Sequence, residues 1–159
     1  MEMKFKAIGI IHSPYKTVEN MPVQTSASKN VEAEIEIFDQ YKEGLSDLDG
    51  FSHIYVIFFL NMVREPKLKV IPFLDTVERG IFATRSPARP NPVGLSLAEL
   101  VSVKGNRIII RGVDMLDGSP IIDIKPYVPD FEICDNVKKG WFEGKTHKAE
   151  GILSDERFK

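Results

Sequence analysis

A single segment, Gly80 to Ser96 (GIFATRSPARPNPVGLS), concentrates the residues best suited to hold a ligand. Its prolines fix φ and remove backbone donors, so the segment predicts a stiff loop outside any sheet interior. Arg85 and Arg89 present planar forks that suit a carboxylate or phosphate and can stack on a base. Asn91 offers a carbonyl acceptor for an amino group such as that of adenine. The alternative, a structural loop with solvent-facing arginines, explains so dense a cluster poorly.

A second polar cluster, Asp114 to Asp123 (DMLDGSPIID), surrounds the turn signal Asp117-Gly118. Asp114 or Asp117 can accept a hydrogen bond from a ribose hydroxyl or an ammonium group. The alternative is that both aspartates only cap the turn through their own backbone, and the spacing slightly favours it. A third segment, Ile11 to Tyr15 (IHSPY), is another proline-containing turn that indicates little by itself.

Standard cofactor and nucleophile motifs are missing from the sequence. No two of the 11 glycines are two residues apart, so G-x-G-x-x-G does not occur. The P-loop pattern and the G-x-S-x-G elbow are missing as well. A Rossmann-type site is therefore disfavoured. The single cysteine, Cys134, excludes an internal disulfide, and three scattered histidines predict no metal site.

The elements that must position these residues are mainly strands. Lysines alternating with Phe5, Ala7 and Gly9 predict a first strand, and Val31 to Phe38 alternates glutamates with apolar residues as a half-buried strand does. Tyr41 to Leu48 predicts a short helix. His53 to Met62 is apolar on both faces and predicts a central, fully buried strand.

The second half of the chain predicts a long β-hairpin, from Leu95 to Val103 and Ile108 to Val113, with a turn at Gly105-Asn106. Pro120 to Val128 predicts a further strand, bent at Pro126. Many short strands with little helix favour a mainly β fold, a compact barrel or sandwich. The length predicts one domain over residues 1–159.

The net charge of -2 hides an uneven distribution. Residues 64–111 carry nine basic and four acidic side chains, whereas residues 32–63 carry one basic and seven acidic. A local positive patch attracts phosphates whatever the total charge. The free cysteine, with no export signal and no long apolar run, predicts a cytoplasmic protein without a membrane partner.

Four motifs together resemble those of the TsaA-like, or TrmO, family: IGIIHSPY, LDGFSHIYVI, FATRSPARPNPVGLS and DGSPIIDIKPYVP. They cover about residues 7–130, within a core of about 4–130 and a tail of 131–159. The resemblance implies a single-sheeted antiparallel β-barrel with short helices, not a Rossmann-like fold, and a homodimer. It also implies binding of S-adenosylmethionine (SAM) and methyl transfer to N6 of N6-threonylcarbamoyladenosine, beside the anticodon at position 37 of tRNA.

The resemblance carries cofactor-contacting positions onto four parts of the chain. These are Leu60 and Asn61; Arg85 and Leu95; Asp114, Met115, Leu116 and Asp117; and Gln24, Thr25 and Ser26. In the last part, Thr25 and Ser26 replace a pair that is richer in proline and glycine in some relatives. Longer relatives carry a C-terminal extension, which we expect this chain to lack.

The implied reaction needs an acceptor for the N6 proton and a partner for the threonylcarbamoyl carboxylate. Candidate acceptors are Asn91, Asp123 and, more weakly, Tyr127, because a tyrosine with a pKa of about 10 suits donation better. Arg89 or Lys125 can bind the carboxylate. The residues expected to meet tRNA phosphates are Arg64, Lys67, Lys69 and Arg79.

Two alternatives stay open. The first is a methyltransferase of the same fold that acts on another RNA or on a small molecule. The second is a non-catalytic barrel that binds the cofactor or RNA.

Overall fold

A computed structural model describes residues 2–19, 21, 28–63 and 65–145 of the chain. Its strands, in chain order, are β1 (Gly9–His12), β2 (Glu32–Ile37), β3 (His53–Phe59), β4 (Lys69–Val70), β5 (Arg79–Gly80), β6 (Val93–Lys104), β7 (Arg107–Arg111) and β8 (Pro120–Pro126). Six of them close into an antiparallel barrel in the order β1-β2-β7-β6-β3-β8, and β4 pairs with β5 in a separate ribbon. The single-sheeted antiparallel barrel is thereby confirmed.

Helices in the described residues are short. Single 3-10 segments cover Asp39–Leu45, Leu48–Gly50, Ile81–Ala83 and Gly140–Phe142, and one α-helical turn, α1, covers Pro129–Glu132. No helix in this part of the chain has the length and apolar composition that crossing a membrane requires.

Apolar side chains from every strand of the wall fill the barrel. In β2, Ala33, Ile35 and Ile37 are buried while the intervening glutamates face outward, as the alternation predicted. Burying a large aliphatic side chain contributes roughly 1.5–3 kcal/mol, so this filling stabilises the closed wall. The other buried members of the core are Ile11, Leu48, Ile54, Val56, Phe58, Ala98, Ile108, Ile110, Val113, Met115 and Ile121.

Gly94 in β6 is required by the packing of the barrel interior. It pairs with Phe58 of β3, and a Cβ at position 94 would lie 2.3 Å from the Phe58 ring. The ring therefore occupies the space that any side chain at 94 would need. Glycine is also favoured in the two-residue turn between β6 and β7. Gly105 is the first residue of this turn and takes a φ of +63°.

The register places six strand ends, and the three connections that join them, at one end of the barrel, which we call the rim. At the rim β1, β3 and β7 end and β2, β6 and β8 begin, as shown by the pairs Phe59–Val93, His12–Glu34 and Glu32–Arg111. Loops that leave different strands therefore meet at this end.

Three predicted elements differ from the structure. The first strand covers Gly9–His12 rather than residues 4–9. The helix expected at 41–48 is two 3-10 segments separated by Ser46 and Asp47, and the φ of Asp47 is +65°. β3 is fully buried on one face only, because its other face forms the outside of the barrel, where Phe59 is 39% exposed.

Candidate functional site

Segments that lie far apart in the sequence meet at the rim. Leu60 and Asn61 follow β3, and the Leu60 N–H donates to the carbonyl of Pro92 at 2.8 Å. Residues 112–119 connect β7 to β8 over the same end. Leu95, near the start of β6, is 60% exposed on the outer face of the wall. The rim therefore brings three of the sequence-predicted cofactor segments together.

Asp117 ties the β7–β8 connection to the segment that follows β1. Its carboxylate accepts a hydrogen bond from the Ser13 N–H (2.9 Å) and pairs with Lys16 Nζ (2.8 Å). The hydrogen bond from Lys16 holds the pKa of Asp117 below its ordinary value, so the carboxylate is ionised at neutral pH. Asp117 therefore caps the backbone of a distant segment rather than its own turn, and it joins the IHSPY and DMLDGS motifs into one unit.

Asp114 lies beside two hydroxyl groups. Ser96, which is buried in β6, donates its Oγ–H to the Asp114 carboxylate. Burial, and then the charge of Asp114, raises the pKa of Tyr15. Tyr15 therefore keeps its proton at neutral pH.

Met115 does not present its side chain to the rim. The side chain is fully buried in the barrel core, and its carbonyl accepts a hydrogen bond from Ser13 Oγ at 2.8 Å. The neighbouring Leu116 carbonyl accepts from the Ser119 N–H at 3.2 Å. A ligand at the rim could contact this stretch chiefly through Asp114 and the half-buried Leu116.

The stiff segment predicted from prolines forms a loop closed on itself, residues 81–92, which we call the arginine-proline loop. Thr84 Oγ1 donates to the Ile81 carbonyl (2.9 Å) and accepts from the Ser86 N–H (3.2 Å). Arg89 Nη1 donates to the carbonyls of Thr84 (2.9 Å) and Ile81 (3.2 Å). The guanidinium also lies 5.8 Å from the centre of the Phe82 ring. Arg89 thus holds the loop together.

Arg85 is exposed and makes no hydrogen bond or ion pair within the described ranges. Its charge acts on Tyr55 of β3, where burial and then Glu132 raise the pKa of the hydroxyl and Arg85 lowers it. Arg85 therefore lies near the outer face of β3. Its guanidinium is available to an anionic group.

The three candidate acceptors lie at different positions along the barrel axis. Asn91 is exposed at the rim, directly before β6. Asp123 is on the wall, where it pairs with Lys125 Nζ at 3.0 Å. Tyr127 follows β8 at the opposite end, and its N–H donates to the carbonyl of His53 at 3.0 Å. A strand of seven residues spans about 20 Å, so within one chain the structure separates Asn91 from Tyr127.

Two of the three candidate phosphate contacts that the structure describes already have partners. Arg79 pairs with Asp75 at 2.8 Å, and Lys69 lies 3.7 Å from Glu78. Lys67 has no ion pair in the part of the chain that the structure describes, and it lines an open groove of 630 Å³ together with Lys69. Arg64, Gln24, Thr25 and Ser26 lie outside the described residues.

Sequence reasoning missed Ser96, Tyr15 and Trp141. Ser96 is a lone hydroxyl on the inward face of the VGLSL strand, a pattern that indicates a buried polar contact. Tyr15 ends a motif that we considered only as a turn. Trp141 is the only tryptophan in the chain and lies in an otherwise polar tail, where its contact with the Ala83 carbonyl has no local signal.

Comparison with known proteins gives consistent matches. The family model described as the tRNA-methyltransferase O N-terminal domain matches residues 10–133. A probable S-adenosyl-L-methionine-binding protein of Pyrococcus abyssi is 47% identical over 97% of this chain and 84% of its own length. The tRNA (adenine(37)-N6)-methyltransferase of Escherichia coli is 36% identical over 79% of this chain and 58% of its own length.

Among solved structures, TrmO from Pseudomonas aeruginosa superposes with a TM-score of 0.75 at 29% identity, over 88% of this chain and 62% of that chain. The chain thus spans most of the archaeal relative but less than two thirds of the two bacterial proteins.

Proposed function

Since the chain belongs to the family of the tRNA-methyltransferase O N-terminal domain, we propose that it binds SAM and methylates N6 of an adenine in tRNA. The observation that carries the proposal is the meeting of three motif segments at the rim, all of them inside the matched residues 10–133. The printed names of the relatives, one for SAM binding and one for adenine methylation, agree with it.

The residues at and beside the rim fit the chemistry of SAM. The cofactor has a flat base, ribose hydroxyls, a carboxylate and an ammonium group. Leu95 and Leu60 offer apolar surface for the base, and Asp114 offers a carboxylate to hydroxyl or ammonium donors. Arg85, without an ion partner among the described residues, suits the carboxylate. When bound, SAM supplies a methyl group on a positively charged sulfur.

The remaining task of the chain is to orient N6 of adenine and to accept a hydrogen bond from its N–H, while the proton itself passes to solvent once the bond from N6 to the methyl group has formed. Asn91 is the best placed of the three candidate acceptors, because it is exposed and lies at the rim with the proposed cofactor residues. Pro90 and Pro92 restrict the backbone on either side of Asn91, so holding this residue in place costs little conformational entropy. Asp123, already paired with Lys125, and Tyr127 at the opposite end are less suited.

At the finer level, we propose N6-threonylcarbamoyladenosine at position 37 as the substrate, in the anticodon stem-loop. Its carboxylate needs a cation. Lys125 and Arg89 remain the candidates, although Lys125 pairs with Asp123 and Arg89 Nη1 is bound by carbonyls of its own loop. The rest of the Arg89 guanidinium still offers donors, because the group carries five N–H bonds.

We also propose that the protein acts as a cytoplasmic homodimer of single-domain subunits spanning residues 1–159. The outer face of the wall supports the dimer, because Val93 and Leu97 of β6 leave apolar surface exposed on either side of the proposed cofactor residue Leu95.

The test is a transfer assay with methyl-labelled SAM and tRNA that carries or lacks the threonylcarbamoyl group. We expect label on the modified tRNA and a loss of at least tenfold in the rate with Asn91→Ala. Lys104→Ala, on the β6–β7 hairpin far from the rim, is the matched control. Transfer to neither tRNA would refute methylation of tRNA, and equal transfer to both would refute the finer substrate.

A non-catalytic SAM-binding barrel is the second candidate, favoured by the name of the Pyrococcus abyssi relative, which mentions binding alone. Calorimetric binding of SAM without transfer to any tRNA or small molecule would support it. Transfer to another RNA would instead support a methyltransferase of this fold with a different substrate.

A further inference from the structure

Residues 140–145 lie beyond the family match and fold back on the arginine-proline loop. We call these residues the strap. The indole N–H of Trp141 donates to the carbonyl of Ala83 at 2.6 Å. Ala83 ends the 3-10 segment Ile81–Ala83, with which the loop begins. The strap therefore contacts the loop two residues before Arg85.

A cluster of charges anchors the strap to the β4–β5 ribbon. Asp75, whose side chain is only 6% exposed, accepts two hydrogen bonds from Arg79 (3.0 and 2.8 Å) and lies 3.0 Å from Lys145 Nζ. Arg79 keeps the pKa of Asp75 well below its ordinary range, so the carboxylate is ionised. Arg79 and Lys145 each lie 5.7 Å from the centre of the Trp141 ring. One carboxylate thus joins the ribbon to the strap, and its two cationic partners lie beside the indole.

The turn that Trp141 contacts, residues 81–84, also makes the hydrogen bonds that close the arginine-proline loop. Ile81 and Thr84, on either side of Phe82 and Ala83, provide the carbonyls that hold the Arg89 guanidinium. Thr84 directly precedes Arg85. A displacement of the Ala83 carbonyl is therefore transmitted to both arginines through two residues of backbone.

We propose that the strap holds the arginine-proline loop in its ligand-binding shape, with Trp141 as the positioning residue. The ligand part of this inference rests on the proposed function, namely on SAM binding beside the loop. By linkage, a strap that favours the binding shape must itself become more ordered when the ligand binds. A merely structural contact would not respond to the ligand.

The first experiment compares amide hydrogen exchange of residues 81–92 in the ligand-free wild type and in Trp141→Phe, which keeps a ring but loses the N–H. One hydrogen bond contributes about 0.5–1.5 kcal/mol, so we expect exchange about 2- to 12-fold faster in the variant. The matched control is Phe131→Leu, which alters an aromatic side chain on α1 that is 82% exposed. This variant should leave the exchange rates of the loop unchanged.

The second experiment adds SAM. We expect Trp141→Phe to weaken SAM binding by about 2- to 12-fold in calorimetry. In the wild type we expect SAM to slow exchange of residues 140–145 and to change the emission of Trp141, which reports alone because it is the only tryptophan. Should Trp141→Phe fail to fold, Asp75→Asn, which keeps the indole but weakens its anchor, replaces it.

The outcomes separate this inference from the proposed function. If the wild type does not bind SAM, the proposed function falls, and the ligand-free exchange still decides whether the strap holds the loop. If SAM binds but the variant shows neither faster loop exchange nor weaker binding, the strap proposal is overturned. A strap unaffected by bound SAM overturns it as well.

Discussion

The two arginines of the loop have different surroundings, although the sequence presents them as equivalents. Arg89 donates to two carbonyls of its own loop and lies against Phe82. Arg85 is exposed, and its positive charge lowers the pKa of Tyr55 on the outer face of β3. The first arginine is therefore built into the scaffold, and the second is free to bind an anion.

Exchanging each arginine for alanine should separate these roles. Arg85→Ala should weaken SAM binding about 10- to 100-fold, the loss of one charge-assisted hydrogen bond, with no change in unfolding by urea. Arg89→Ala should instead lower the free energy of unfolding, because two carbonyls lose a donor. Calorimetry and urea titration of both variants measure the two effects, and an interchange of the two results would show the assignment to be wrong.

Arg89 also tests the finer substrate. If its remaining donors bind the threonylcarbamoyl carboxylate, Arg89→Lys should reduce the preference for modified over plain tRNA more than it reduces SAM affinity. Equal losses would mean that its role is confined to the loop.

At the scale of elements, the closed wall depends on one glycine. The ring of Phe58 fills the barrel beside Gly94, so a methyl group there has no room. Strands β3 and β6 would have to separate or the ring would have to leave its position.

Gly94→Ala should therefore lower the free energy of unfolding by about 1–3 kcal/mol, the usual cost of overpacking a core. Gly44→Ala is the matched control, because a Cβ at position 44 meets nothing within 4 Å. Urea unfolding followed by circular dichroism measures both variants. An equal stability of Gly94→Ala and wild type would mean that the ring is not confined as the structure has it.

The strands with clear local patterns were predictable. Alternation in β2 and the turn at Gly105 each act within a few residues, so the sequence alone indicates them. The start of β1 was not predictable, because its partner decides it. Gly9 pairs with Ile37, the last residue of β2, and the chain continues from there into the 3-10 segment at Asp39, so residues before Ile8 have no residue of β2 to pair with.

Site residues follow the same division. Pro90 and Pro92 indicate a stiff loop locally, and the structure has one. That Arg89 closes the loop, or that Asp123 pairs with Lys125, depends on side-chain geometry that spacing does not encode. The separation of Asn91 from Tyr127 follows from the strand order of the barrel, which is a property of the whole sheet.

At the scale of the whole molecule, closing the barrel neutralises much of the uneven charge. β2 contributes acidic side chains and lies beside β7, where Arg107 pairs with Glu34 and Arg111 pairs with Glu32. Exposed pairs of this kind contribute little to stability, but they remove positive charge from the surface that phosphates would meet. The basic middle of the sequence is therefore a smaller positive surface in the fold.

Lys67, beside the β4–β5 ribbon, is one of the cations that the fold leaves without an ion pair among the described residues, and it faces an open groove. If tRNA phosphates meet this groove, Lys67→Ala should weaken binding of every tRNA alike. The slope of log K against log salt should fall by about 0.7–0.9, the range for one phosphate contact in single-stranded and duplex nucleic acid. The control is Lys104, another exposed lysine without an ion pair in the described part, which lies on the β6–β7 hairpin away from the rim. Lys104→Ala should leave the slope unchanged. Filter binding at several salt concentrations measures both variants. A slope that falls with Lys104→Ala and not with Lys67→Ala would place the tRNA on the opposite end of the barrel, because the charge that guides an anionic partner must lie where its phosphates lie.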